Sequence, residues 1–423
     1  MINIKDKGKE KVLKYADQAI SLYEEDFTLK GANIQKYFKY IYAISHHLTG
    51  IDSPRDAKEI IGKSLKAFRS SPSKTIGDFK NILIKAEKDT ICRNVEKYYF
   101  VIPVNIKCDS LCRRQVSILG KQIKLRNYKY ILNNFSINEL ANKSRYDERI
   151  NNGINRDLTY WVFEEYSSDE HKAMRQALRE FDLLRAIINF SHDSMSIHYS
   201  FGGPTEPLSL VCPKKTFFEF DSNKSYRNFW IVTENYADKL IDFKTNSSDY
   251  CTLVKRMNII IRRLNSIKDP ELRYLIVNAL YFYGNALDYY DRLWLSFLSY
   301  WQIFELLSLG KNQLKQDEIC KRVVALLGHN EPYEDLLDYF KIKRNNIVHH
   351  GKFEDISEDD TNIIKGIAEH AILFILFEAS HLKNISGLNV YYEHINSNEK
   401  DIKLKKSILG LIDKTKSKHS KNS

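Results

Sequence analysis

The chain has 423 residues, more than one compact core of ordinary size holds, so two or three domains are expected. Hydrophobic residues make up 43%, with 26 Tyr and 22 Phe, which excludes a disordered chain. The net charge of +11 points to an anionic partner, nucleic acid first, although a Lys-rich surface also serves solubility alone.

Cys92, Cys108, Cys112, Cys212, Cys251 and Cys320 are scattered. Only Cys108 and Cys112 lie close, and no second pair completes a zinc site. They read as reduced, mostly buried thiols of a cytosolic protein. The N-terminus moves straight into charged residues without the apolar core of a signal peptide. The strongest apolar run, Ala371 to Phe377, is too short to span a bilayer. A cytoplasmic protein with no membrane contact is the expectation.

Residues 1–97 read as a helical region. Val12, Tyr15, Ala16, Ala19, Ile20 and Tyr23 recur at helical spacing, as do Tyr37, Tyr40, Ile41 and Ile44. His46-His47 has no carboxylate or Cys at ligand spacing and reads as structural. From Tyr98 the texture changes. Tyr98 to Ile106 is rich in strand formers, and Pro103 predicts an edge strand or a bulge. Val116 to Leu125 reads as a hairpin and Tyr160 to Phe163 as a strand. A helix follows, with Met174, Leu178, Phe181, Leu184 and Ile188 as its stripe. Met195, Ile197, Tyr199 and Phe201 alternate with polar residues, which predicts another strand. Gly202-Gly203-Pro204 lacks the residues of a phosphate loop and reads as a turn. His192-Asp193 reads as loop. Phe217 to Phe220 and Phe229 to Val232 continue the β texture, so residues 98–250 form an α+β domain, a candidate sensor or regulatory region.

From 251 the pattern is helical throughout. Pro270 opens a helix that runs on to Leu309, with an interruption expected near Gly284. Ile319 to Leu327 is a short helix, Pro332 opens the next, Gly351 closes it, and Ser357 with Asp360 starts the last. Residues 251–390 therefore read as a helical bundle and 391–423 as a basic tail. The fold class is α+β, mostly α.

Chemistry concentrates at Arg344-Asn345-Asn346-Ile347-Val348-His349-His350-Gly351. Leu337, Phe340, Ile347 and Val348 mark one apolar face, and Arg344 points into it. An inward Arg needs a carboxylate or a polar cleft. Glu305, four residues after Trp301, and Asp291, three before Trp294, are placed on the stripe of the upstream helix to meet it. Taken alone, such a pair reads as an ion pair that fixes helix register. His349 lies in the last turn, where the helix terminus favours imidazolium. Arg344 and His349 stand roughly 140° apart on an ideal helix, so one phosphate meets both only if the helix end distorts or two copies of the motif meet.

These residues resemble the HEPN ribonucleases, whose commonest motif reads Arg-Asn-x-x-x-His, here Arg344, Asn345 and His349. Ile347 to Gly351, the aromatic helix ending Glu305-Leu306-Leu307 and the short helix with Lys321-Arg322-Val323 are similar to the Apea-like branch, which is associated with defence against phage. The resemblance covers residues 255 to 385. It implies metal-independent RNA cleavage, without cofactor, at a site shared by two subunits. His349 would be general base or acid, with His350 its rival; Arg344 would stabilise the phosphorane; Asn345 would orient the phosphate or the His; Glu305 would position Arg344. The implied partners are an RNA substrate, a second copy of the chain, and a phage-derived or nucleic-acid trigger. Some members carry Tyr two residues after the His, the target of a nucleotidyltransferase antitoxin; Gly351 stands there, which puts such an antitoxin in doubt. Two other readings remain open: a nonenzymatic RNA- or protein-binding bundle with a structural Arg-Glu pair, and a metal-dependent nuclease, for which no acidic cluster is evident.

Overall fold

A computed structural model describes residues 2–22, 32–50, 54–91, 95–107, 114–136, 156–199, 208–232, 240–242, 248–309, 314–328, 331–395, 397 and 400–409. The fold is α+β and mostly α. Among the described residues no helix is long and apolar enough to cross a membrane. The chain divides into two compact units, Met1–Glu96 with Ser167–Asp169, and Lys97–Tyr166 with Glu170–Ser423.

In the first unit, helices α1 (Lys9–Ile20), α2 (Ala32–His46), α3 (Pro54–Arg69) and α4 (Ile76–Ile91) pack around Val12, Ile44, Ile61, Leu65, Phe68 and Phe79. The two-residue strands β1 (Asn3–Ile4) and β2 (Leu48–Thr49) pair antiparallel. The carbonyl of His47 accepts from the Lys5 amide at 2.9 Å, and a Cβ at Gly8 would meet the imidazole at 2.8 Å, so His47 serves the packing of this unit.

The second unit holds a six-stranded sheet. Its strands are β3 (Glu96–Val104), β5 (Gln115–Ile118), β6 (Lys121–Asn127), β7 (Thr159–Ser167), β8 (Thr216–Phe220) and β9 (Tyr226–Ile231), in the order β5-β6-β7-β3-β8-β9. The short strands β4 (Ile106–Lys107) and β10 (Ile241–Asp242) pair separately and parallel. Along β3 the side chains alternate between two cores. Tyr98, Phe100, Ile102 and Val104 face the large one, while Tyr99 and Val101 join a smaller one with Phe135, Tyr160 and Phe220. Pro103 is therefore in a central strand, not an edge, and lies between the Val101–Phe218 pair and the Val104–Pro213 bridge, where the register shifts; its carbonyl accepts from Lys214 N at 2.8 Å. Leu119 and Gly120 both take positive φ, as a two-residue hairpin turn requires.

Helix α5 (Tyr128–Asn134) contributes Ile131 to the smaller core; α6 (Glu170–Asp193) joins the large one, with Phe181 against Trp161 at 5.1 Å. Then come α7 (Ser248–Ser266), α8 (Pro270–Asp288), α9 (Leu293–Leu307), α10 (Gln316–Leu326), α11 (Glu331–His350), α12 (Glu358–Leu382) and α13 (Ile385–His394). Asp269 caps α8 ahead of Pro270, and Ser357 with Asp360 forms a capping box on α12.

Several expectations are revised. Among the described residues, sheet and bundle share one apolar core from Tyr98 to Leu388 and fall in one compact unit. Gly284 does not break its helix. It sits where α8 crosses α6, its missing side chain leaving room for Ala186, and the break comes at Tyr289 to Arg292. Residues 195–199 form no strand, because helix α12 claims their backbone polar groups; Phe201 and Gly202-Gly203-Pro204 lie outside the described residues. The expected tail begins too early. Tyr391 and Tyr392 belong to α13 and donate to the carbonyls of Ala325 (2.8 Å) and Leu307 (2.9 Å). Cys212 and Cys320 are buried, Cys251 is exposed, and Cys92, Cys108 and Cys112 lie outside the described residues.

Candidate functional site

Helix α11 buries Leu337, Phe340 and Ile347, and Arg344 falls on the same side. Its Nη2 donates to Glu305 Oε1 at 3.0 Å and its Nη1 to Asn345 Oδ1 at 3.2 Å. Glu305 comes from the last turn of α9, with Phe304 and Leu307 fixing that helix in the core. The same Oε1 accepts from Trp301 Nε1 at 3.1 Å and from Gln316 Nε2 at 3.3 Å. Three donors on one oxygen hold the carboxylate in place, and the carboxylate holds the guanidinium. The side chains are 18% exposed for Arg344 and 34% for Glu305, so the pair sits at the rim of the bundle. Two of the five guanidinium N–H donors are engaged, which leaves Arg344 able to meet an anion.

His349 and His350 end α11. Gly351 follows in the left-handed region (φ 64°), and its N–H closes the last turn on the Ile347 carbonyl at 3.1 Å. Both imidazoles are exposed, and neither has a hydrogen-bond partner among the described residues. On an ideal helix His349 falls within roughly 20° of Ile342 and 40 to 80° of Asn346 and Tyr339. Ile342 and Tyr339 are exposed apolar side chains. The helix thus carries an inner face with Arg344 and an outer face with His349. Lys343 Nζ lies 4.7 Å from the centre of the Tyr339 ring, and Ile342 beside His349 is 58% exposed.

Asp291 does not join Arg344. The helical phase that would align it with Trp294 is broken, because α8 stops at Asp288 and α9 starts only at Leu293. Asp291 is exposed on the intervening turn, with Oδ2 at 4.0 Å from Arg292 Nε. Val348 is 49% exposed rather than on the buried face. Trp301 was placed on the apolar stripe but not as a hydrogen-bond donor to Glu305, and Gln316 was not singled out. A Trp four residues before a Glu on one helix was a usable signal, whereas Gln316 is brought in only by the tertiary fold.

A second polar constellation was also missed. Asp193 is not in a loop; it ends α6 and is buried. Its Oδ1 lies 2.6 Å from His198 Nε2 and its Oδ2 3.3 Å from Lys365 Nζ. Lys365 Nζ also reaches Glu369 Oε1 at 2.8 Å and the carbonyls of Asp193 and Ser196, both at 2.9 Å. Tyr283 donates to Glu369 Oε1 at 2.7 Å. Burial alone would raise the Asp193 carboxyl, but His198 and Lys365 outweigh it and hold the carboxyl below the usual range. Burial, with Glu369 alongside, pushes the Tyr283 phenol well above its ordinary value. The segment 194–199 is strapped to α12 by this cluster. Met195 N donates to Glu369 Oε2 at 2.7 Å, and Asn362 both accepts from His198 N (3.2 Å) and donates to its carbonyl (2.6 Å). The signal was present: Lys365 and Glu369 form an i, i+4 pair inside an apolar run.

Among the described residues no group of three or more His, Cys, Asp or Glu is placed to hold a metal ion. No protein-family model, curated protein or solved structure matches this chain.

Proposed function

We propose that the chain is an endoribonuclease of the HEPN type, resembling the Apea-like branch, which cleaves RNA without a metal at a site completed by a second copy. The observation that carries this reading is the pairing of Arg344 with Glu305 on the inner face of a helix whose outer face ends in unpartnered His349. A structural ion pair alone has no need of an exposed imidazole at the motif spacing.

In the reaction the RNA 2′-oxygen attacks the adjacent phosphorus and the bond from phosphorus to the 5′-oxygen breaks. The products are a 2′,3′-cyclic phosphate and a 5′-hydroxyl. The 2′-hydroxyl proton is taken up and a proton is given to the leaving oxygen, with His349 as the general base or acid of the site. Arg344, aimed by Glu305, offers its free N–H donors to the charge that builds on the phosphorane oxygens. Asn345, already in contact with the guanidinium, orients it. The angle between Arg344 and His349 argues for a composite site. The exposed Tyr339 and Ile342 beside His349 supply apolar surface for a partner copy. Cellular defence against phage, with activity held back until a trigger arrives, is the biological setting this reading carries with it.

The test is RNA cleavage by the purified chain in EDTA. Wild type should cut and His349→Ala should not. Cleavage that vanishes on chelation, or that His349→Ala retains, overturns the proposal. Toxicity on overexpression, abolished by Arg344→Ala or His349→Ala, is the companion assay if the purified enzyme is held inactive. The second reading, a nonenzymatic binding module, predicts RNA or protein binding that both variants retain.

A further inference from the structure

We infer that a cleft between the β5–β6 hairpin, α6 and α8 is a binding site for a nucleoside phosphate. The cleft has a volume of about 540 Å³ and lies within the second unit. Lys172, Arg175 and Arg179 line it from one helix. Their spacing of three and four residues puts them on one stripe, and the stripe climbs about 10 Å along the axis. That length matches a chain of phosphates rather than a single anion. The floor is of a different character: Ile118, Ile123, Leu183, Val277 and Tyr281. An apolar floor with one aromatic ring beside a cationic stripe fits a ligand with a flat, weakly polar part and a polyanionic part, the two halves of a nucleoside phosphate.

The walls are fixed before any ligand arrives. Asn265 holds the hairpin tip, accepting from Leu119 N at 2.8 Å and donating to the Ser117 carbonyl at 2.9 Å. Tyr281 donates to the Arg179 carbonyl at 2.7 Å, tying α8 to α6 across the cleft. The Arg179 guanidinium lies 6.0 Å from the Tyr281 ring, at the junction of the two halves. Glu180 is the one acid in the lining, and it shares Lys121 (3.1 Å) with Glu165 behind it (2.9 Å). A preformed cleft of this kind loses little to ordering when it binds.

This inference does not depend on the nuclease reading, and its test measures binding rather than cleavage. Calorimetry on the full chain would use ATP, GTP, adenosine and inorganic pyrophosphate as probes, each without added metal. A nucleotide should bind with micromolar affinity, and adenosine or pyrophosphate at least about tenfold more weakly, since each satisfies one half of the cleft. Arg175→Gln with Arg179→Gln should weaken the nucleotide about a hundredfold, each Arg giving a charge-assisted hydrogen bond. Both positions are exposed, so the fold should hold. Val277→Trp fills the floor without changing charge and should also abolish binding. No nucleotide binding at millimolar concentration overturns the inference. So does binding indifferent to the Arg pair, and so does binding by oligonucleotides but by neither mononucleotide.

Discussion

Arg344 on α11 and Glu305 on α9 meet through a 3.0 Å hydrogen bond, and Glu305 is itself gripped by Trp301 and Gln316 from two further directions. The motif Arg is thus a fixed donor, while His349, five residues on, is solvent-exposed. A fixed guanidinium and an exposed imidazole are the two groups that the proposed cleavage without a metal would use.

Replacing Glu305 with Ala should release the guanidinium. RNA cleavage is expected to fall about a hundredfold through misplacement of the Arg, and stability to drop by about 1–2 kcal/mol for a partly exposed charge-assisted bond. Glu305→Gln, whose amide oxygen still accepts, should lose less of both. Single-turnover cleavage and urea unfolding check the two quantities separately.

His349→Ala should separate activity from stability. The exposed side chain makes no contact whose loss the fold would notice, so the stability change should be about 0.5 kcal/mol or less. Cleavage should fall by about 10²- to 10⁴-fold with the loss of general acid–base catalysis. His350→Ala should retain most activity. Equal losses in the two variants would mean that the assignment between the histidines is wrong.

The buried cluster predicts a large stability effect far from the motif. Lys365 lies between Asp193 and Glu369, all three buried. Lys365→Ala leaves Glu369 without its cation and Asp193 with His198 alone, and should cost about 3–5 kcal/mol in chemical denaturation. It should also free the segment 194–199, visible as faster amide exchange at Met195 and His198.

Stability should respond to pH at two places with opposite sign. The Asp193 carboxyl is held below its ordinary value by His198 and Lys365 against the pull of burial. Its contribution is present above the ordinary carboxylate pKa and is lost as pH falls through the lowered native value. Glu165 is the reverse case. Burial, with neighbouring Glu180, raises it to about 7 despite Lys121. The stability linked to its protonated form is present below the ordinary carboxylate range and drains away as pH rises towards 7. Glu165→Gln should therefore flatten the fall in stability between pH 5 and 8 and leave acid unfolding unchanged. Denaturation midpoints across that range give the answer.

Much of this architecture was legible in the sequence because it rests on local rules. Asp269-Pro270, Ser357 with Asp360, and Gly351 announce helix ends through caps and a left-handed residue. Helical phase put Arg344 and Glu305 each on an inward stripe, and the two side chains meet. Asp291 failed for the same reason that Glu305 succeeded: phase arguments hold within one helix, and a four-residue turn separates Asp291 from the stripe it was assigned to. The alternating run from Met195 obeyed a strand pattern, yet Asn362 and Glu369, far away in the chain, take its backbone groups. The shared core of sheet and bundle could not be seen for a related reason. Buried helix faces such as that of α6 read alike whether they cover a sheet or another helix, and α6 covers both.

The most direct measurement of the central claim is complementation between two inactive variants. Arg344→Ala and His349→Ala, each inactive alone, are mixed, allowed to exchange subunits, and assayed on RNA in EDTA, with the product ends identified. If each site draws Arg344 and His349 from different subunits, the mixture regains part of the wild-type rate and leaves 2′,3′-cyclic phosphate and 5′-hydroxyl ends. A mixture of exchanged subunits that stays inactive beside an active wild type, or ends of the opposite polarity, contradicts the account.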